Sequence, residues 1–154
     1  SMWELFKQHH YLTADLNRSA HCYCAFIGDR PVAFDAWLPM YGKNIGKAKR
    51  SHRTVCLPDF QGIGIGYALF KYLASAYKAL GYRCFSATAH PAEVKKRVSS
   101  GEWRINRYGK TSNLDGGRMK TKARATGRLI TTSQYIGSSL DFQTAFNLVN
   151  AKIG

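Results

Sequence analysis

The chain has 154 residues, 45% of them apolar and 13% aromatic, which suits one compact domain over residues 2–154 with a single substantial core. No run approaches the roughly 18 apolar residues of a membrane span and no apolar leader with a cleavage site opens the chain, so a soluble cytoplasmic protein is expected, with no membrane partner. The net charge of +14, from 23 Lys and Arg against 9 Asp and Glu, instead calls for a polyanion.

In chain order, residues 3–8 predict a short helix, and His9-His10-Tyr11 leads to a second helical segment near 13–19. Strands at 21–27 and 31–38 flank the hairpin signal Gly28-Asp29-Arg30. Residues 41–52 are glycine-rich and basic without an apolar period, which predicts a loop, and a strand follows at 53–57. Ile65, Leu69, Tyr72, Ala76 and Leu80 recur at helical spacing and Gly81 stops the helix. Arg83 to Ala89 alternates as a strand, so strand, helix and strand form a parallel βαβ unit. His90-Pro91 ends that strand, and Pro91 opens a helix running to about Val98. A strand at 103–108, an irregular basic stretch from 110 to 127 expected to be mobile without its partner, and a strand from Arg128 to Ile136 come next. Leu140 to Lys152 predicts a terminal helix with Phe142, Ala145, Phe146 and Val149 on one face. Cys22, Cys24, Cys56 and Cys84 all fall in predicted strands, where free thiols pack as small apolar groups. The fold class is α/β (α+β).

The most specific motif runs from Val55-Cys56-Leu57 through Pro58-Asp59-Phe60 to Gln61-Gly62-Ile63-Gly64-Ile65-Gly66-Tyr67, a strand entering a glycine turn and then a helix. Glycines there let a ligand approach the main chain, and the first N–H groups of the helix, with its positive dipole end, suit a phosphate or pyrophosphate. A dinucleotide fold would need an acidic residue near the end of the next strand, and a P-loop would need Gly-Lys-Ser/Thr where Gly66-Tyr67 stands. Gln61, Gly64 and Gly66, with Gly62 in the small position after the glutamine, resemble the pyrophosphate-binding motif of the GNAT N-acetyltransferase superfamily. The resemblance covers about residues 20–100 and implies a mixed central sheet whose two parallel strands splay apart over the thioester. It also implies acetyl-CoA or a related acyl-CoA as cosubstrate, held by residues 55–57 and 61–67.

Acyl transfer to an amine needs a held donor, an acceptor that loses a proton and a proton for the departing thiolate. The Glu that GNAT enzymes often use as base does not flank residues 53–57, so the identity of the base stays open. His90, just past the second parallel strand, is a candidate acid or base. Ser86 lies on the same strand, and positions 86, 88 and 90 share a face that would border the cleft. Asp35 is a carboxylate inside the apolar strand 32–38 and needs an ion-pair partner or a catalytic role. Tyr135, at the end of the last strand, is a further candidate acid.

Residues 43–53 and 95–128 hold sixteen of the 23 basic residues. Among them Lys43, Lys47, Lys49, Arg50, Arg53, Arg118, Lys120, Lys122 and Arg124 are expected to bind a nucleic acid, DNA ahead of RNA, with the basic loops gripping phosphates on either side of the cleft. His10-Tyr11, Ser86, His90-Pro91 and Ser133 to Gly137 together resemble phage-associated GNAT proteins related to the Mom DNA-modification enzymes. That resemblance implies adenine modification in phage or host DNA, with His10 and Tyr11 at an iron site. An acetyltransferase acting on aminoacyl-tRNA or a protein amine, and a non-catalytic nucleic-acid-binding module of the same fold, stay open as alternatives, as does the oligomeric state.

Overall fold

The computed structural model describes residues 2–9, 16–110 and 129–151. Its strands are β1 His21–Ile27, β2 Arg30–Met40, β3 Ala48–Cys56, β4 Arg83–Thr88, β5 Trp103–Lys110 and β6 Leu129–Tyr135, arranged in one mixed sheet of order β1-β2-β3-β4-β6-β5. Its helices are α1 Met2–Phe6, α2 Ile65–Ala79, α3 Pro91–Ser100 and α4 Phe142–Asn150. β3 and β4 are parallel and joined through α2, as the βαβ reading requires, and the other neighbours are antiparallel.

Alternation along the central strands divides the core between the two sheet faces. Phe34, Ala36 and Val55 face α1 and bury Trp3 and Phe6. The intervening positions face α2: Trp37, Cys84, Trp103 and Tyr135 close over Phe70, Leu73, Ala74 and Tyr77. Phe70 stacks between Trp37 and Trp103, with ring centroids at 5.6 and 5.1 Å. α4 begins at Asp141, whose Oδ1 accepts the Thr144 N–H at 2.9 Å, and packs against α2 through Ala145, Leu148 and Val149. Phe142 and Phe146, expected on the buried face, are exposed and stack on each other at 6.0 Å.

The sequence reading of β3 began too late. The strand starts at Ala48 because β2 runs on through Leu38, Pro39 and Met40 and supplies a partner for residues 48–51. The inward position there is a lysine. Lys49 buries its stem and sets its ammonium 5.4 and 5.3 Å from the rings of Tyr77 and Tyr82, so an apolar period never forms. Of the helical segment expected near 13–19, residues 10–15 lie outside the described residues. The described part turns through an Ala20 N–H to Asn17 carbonyl bond instead of a helix, with Leu16 and Ala20 packing against the α1 core.

Candidate active site

β3 and β4 pair at only three positions, Ala48 with Arg83, Lys49 with Cys84 and Arg50 with Phe85. Beyond Arg50 they part, and β4 continues beside β6 while β3 continues beside β2. The Leu57 N–H donates to the Val32 carbonyl at 3.0 Å, which makes Ala33 and Cys56 a pair that exchanges no hydrogen bonds. Cys56 and Thr54 therefore turn their own main-chain groups away from β2, into the gap. Thr54 is exposed in the middle of the sheet because β4 has left its side.

At the end of β3 the chain makes a single 3-10 turn, Pro58–Phe60, and the Gln61 side chain donates from Nε2 to the Cys56 carbonyl at 3.0 Å, bracing the turn against its own strand. Gly62 and Gly64 then take positive φ, 80° and 88°, and Gly64 caps α2. Gly66 has a different reason to be glycine: a Cβ there would lie 2.9 Å from Cys56 Sγ and 3.6 Å from Thr54 Cγ2. The first turn of α2 thus rests directly on the β3 residues that line the gap. Val55 points the other way, into the α1 core, Leu57 packs at its edge, and Ile63 is exposed at the tip of the turn. Tyr67, in the first turn of α2, accepts the Trp103 Nε1–H at 3.1 Å, and the Lys96 ammonium lies 3.9 Å over its ring.

Asp35 lies beneath this turn, fully buried. It has no ion-pair partner among the described residues; it accepts hydrogen bonds from Trp37 Nε1 at 2.7 Å and from the Thr54 hydroxyl at 2.8 Å. Burial pushes its pKa up to about 7, against the lowering effect of the bonds from Thr54, Trp37 and the Ala36 N–H. The Thr54 proton is committed to Asp35, so the lone pairs of the Thr54 oxygen are left for the gap. Asp35 stood out in the sequence; Thr54 did not, because only the strand register brings the two together.

The face shared by residues 86 and 88 belongs to α3 and not to the gap, contrary to expectation. Ser86 is buried and accepts from Arg97 at 3.0 Å; the same guanidinium donates to the Ser133 hydroxyl at 2.7 Å and to Glu93, and packs over Phe70 and Trp103. Thr88 donates to the other Glu93 oxygen at 2.9 Å. Ser86 is therefore a member of a buried network anchored by Arg97, a cation that charge counting placed on a surface. The i, i+4 spacing of Glu93 and Arg97 was the readable signal for it. His90 follows the end of β4, where it is exposed and caps α3, its carbonyl accepting the Glu93 and Val94 N–H groups.

Tyr135 is not at the gap. Its neighbour Gln134 pairs with Phe85, at the level where β3 and β4 are still joined, and the buried Tyr135 hydroxyl donates to the Ser138 carbonyl at 2.9 Å. The loop carrying Lys43 and Lys47 precedes β3, so the length of that strand, about 26 Å at ~3.3 Å per residue, separates it from the glycine turn. It cannot flank the cleft as expected. Lys47 donates to the Leu80 carbonyl at 2.8 Å, while Lys49 and Arg53 are buried, the latter with its guanidinium 5.8 Å from the Trp3 ring. Lys43 and Arg50 are exposed. Arg118, Lys120, Lys122 and Arg124 lie outside the described residues, as do His10 and Tyr11. Among the described residues no three His, Cys, Asp or Glu side chains converge on a metal position, and no helix is long and apolar enough to cross a membrane.

Two parallel strands that part after three residue pairs, the first of them running on into a glycine turn whose helix rests back on it, make up the fold of the GNAT acetyltransferases. Solved structures bear this out. The chain superposes on a Bacillus subtilis acetyltransferase in complex with CoA with a TM-score of 0.58, at 16% identity over 77% of this chain and 78% of that one. A GNAT family acetyltransferase from Elizabethkingia anophelis with acetyl-CoA bound gives 0.57 at 14% identity, covering 77% of each chain. An aminoglycoside 6'-acetyltransferase type Ii gives 0.52 at 19% identity over 80% of this chain and 74% of that one. No family profile and no curated protein matches the sequence.

Proposed function

We propose that this chain is an acyl-CoA-dependent N-acyltransferase whose acceptor amine is carried by a nucleic acid, adenine in DNA before any other. The observation that carries the acyl-CoA part is the junction of gap and turn: Gly66 lies so close to Cys56 and Thr54 that a pyrophosphate on the first N–H groups of α2 would send the rest of CoA along β3 into the gap. Neighbours of the same fold hold CoA and acetyl-CoA, which supports this direction. Lys96 would add a cation toward the phosphates, and the gap-facing main-chain groups of Thr54 and the Cys56 N–H would bond the amides of the pantetheine arm, the Cys56 carbonyl being engaged by Gln61. The nucleic-acid part is supported by the net charge of +14. Because a paired base is not accessible in a duplex, the substrate would be single-stranded or flipped.

In the reaction the amine nitrogen bonds to the acyl carbon, the carbon–sulfur bond breaks, and the amine gives up one proton while CoA leaves with one. The Thr54 oxygen accepts the amine proton and passes its own to Asp35, whose buried carboxylate is basic enough to hold it. His90, exposed just past the end of β4, returns a proton to the thiolate. Mass spectrometry of nucleosides from plasmid DNA and tRNA tests this reading, using cells that express the wild type or Gly64→Glu, which puts a side chain at φ 88° and a carboxylate where the phosphates bind. An adenine-derived nucleoside in wild-type DNA alone is expected. A change confined to RNA moves the acceptor to tRNA, and no change in either nucleic acid refutes a nucleic-acid acceptor.

A further inference from the structure

The two faces of the sheet are dressed differently. α2 and α3 contact one face through Cys84, Ser86 and Trp103; on the other, α1 reaches Phe34, Ala36 and Val55. Farther along that second face, strand register lines up Arg50 of β3, Phe85 of β4, Gln134 of β6 and Arg104 of β5 in one row. Arg83 and Arg104 both donate to Gln134 Oε1, at 3.2 and 2.9 Å, and Arg83 lies 5.0 Å over the Phe85 ring, which confirms that they share the face. Arg107, paired with Thr132 two residues along β6, extends the set. All four arginines are exposed. The strands β3, β4, β5 and β6 contain no Asp or Glu, so nothing within them neutralises the row.

We infer that this arginine face is a docking surface for a nucleic-acid backbone, with Arg50, Arg83, Arg104 and Arg107 as its phosphate contacts. The inference rests on the nucleic-acid reading above and supplies the surface that reading lacks. Guanidinium groups match phosphate oxygens in pairs, and the Gln134 bonds hold two of them in place before any ligand arrives. The row crosses three strand spacings of about 4.8 Å, roughly 14 Å, the rise of about four nucleotides of one strand. Among the large exposed apolar side chains of the described residues, Tyr108 and Leu129 point to the opposite face, and Ile136, just beyond β6, is a single such residue at the border of the row. A membrane or a protein hot spot would want several such anchors. Position matters as well: Arg50 and Phe85 are the last pair before β3 and β4 part, so a backbone lying along the row is brought to the edge of the gap.

The test is the salt dependence of binding to fluorescein-labelled 20-nucleotide DNA, single-stranded and duplex, without acyl-CoA. Arg83→Gln/Arg104→Gln/Arg107→Gln should bind at least tenfold more weakly at low salt. The slope of log K against log salt should fall by about 2 on single strands and about 3 on duplex. Arg18→Gln/Arg30→Gln/Lys95→Gln, which removes equal charge elsewhere, should keep most of the wild-type slope. Arg107→Gln alone should lower the single-strand slope by about 0.7 and covers the case in which the triple variant fails to fold. If the wild type binds and the arginine variants bind equally well, or the control triple loses as much, the face is not the contact, while the nucleic-acid reading stands. A wild type that binds neither DNA overturns both, whereas arginine variants that keep DNA binding but lose binding to anionic phosphatidylserine vesicles overturn the docking inference alone.

Discussion

Asp35→Asn is the substitution whose outcome the structure constrains most tightly. Asparagine has the same shape and can keep both contacts: its Oδ1 accepts from Trp37 Nε1, and its amide donates to Thr54 once that hydroxyl rotates. What changes is the titration. The folded pKa, about 7, lies above the ordinary value of 3.8, so the folded state binds the proton more tightly than the unfolded chain. Stability from this group is therefore full below about pH 4, declines as the pH rises, and levels off above about 7. At about 1.36 kcal/mol per pKa unit the total loss is about 4 kcal/mol, of the order of a buried unpaired carboxylate. Tyr23 faces Asp35 from β1, with Cys22 next to it in the strand, and burial raises the pKa of both, so both stay neutral across this range. Urea unfolding followed by tryptophan fluorescence from pH 4 to 8, for wild type and Asp35→Asn, gives the comparison in which all other titrations cancel. The stability difference should shift by up to about 4 kcal/mol toward the variant over that range. A difference that stays constant within about 1 kcal/mol would show that Asp35 titrates alike in the folded and unfolded chain, and would remove the basis for its role as proton acceptor.

Thr54→Val should lower kcat by about 10²-fold or more with acyl-CoA affinity unchanged, while Thr54→Ser keeps the hydroxyl and most of the rate. The wild-type rate should climb with pH through about 7 as Asp35 loses its proton, and an identical pH profile in Thr54→Val would separate the two residues. Gly66→Ala forces a methyl toward Cys56 Sγ and should cost about 1–3 kcal/mol and weaken acyl-CoA binding, with Cys56→Ala in the same chain restoring both; isothermal titration and thermal melting read the cycle. Arg97→Met removes the donor to Ser86, Ser133 and Glu93 and should destabilise by about 3 kcal/mol in urea, more than any single exposed arginine.

The parts of this fold that showed in the sequence are those fixed locally. The glycine turn is legible because positive φ at Gly62 and Gly64 and close contact at Gly66 each leave a glycine behind, and α2 is legible because apolar residues recur along it at helical spacing, although the stripe read there is rotated from the buried one: Tyr72 is exposed, and Phe70, Leu73, Ala74 and Tyr77 face the core. β3 was half hidden, because the residue it turns inward at position 49 is a lysine held by two tyrosine rings, and hydropathy patterns carry no signal for that arrangement. Phe142 and Phe146 misled in the opposite sense: they repeat at helical spacing, yet the buried stripe of α4 runs through Ala145, Leu148 and Val149.

Charge was the least transparent property, since a count cannot say where a cation points. Lys49, Arg53 and Arg97 entered the basic runs on the same footing as Arg50 and Arg104, but the first three are spent inside the protein on rings and hydroxyls. Register makes the distinction. With residues alternating across a strand, Lys49 and Arg50 must face opposite sides of the sheet, one toward α2 and the other toward solvent, so adjacent cations have separate duties: one closes the core and the other joins a row contributed by residues distant in sequence. The same alternation at Thr54 and Val55 turns one residue to the gap and its neighbour to the α1 core, which is why a site assembled by one strand was only partly visible along it.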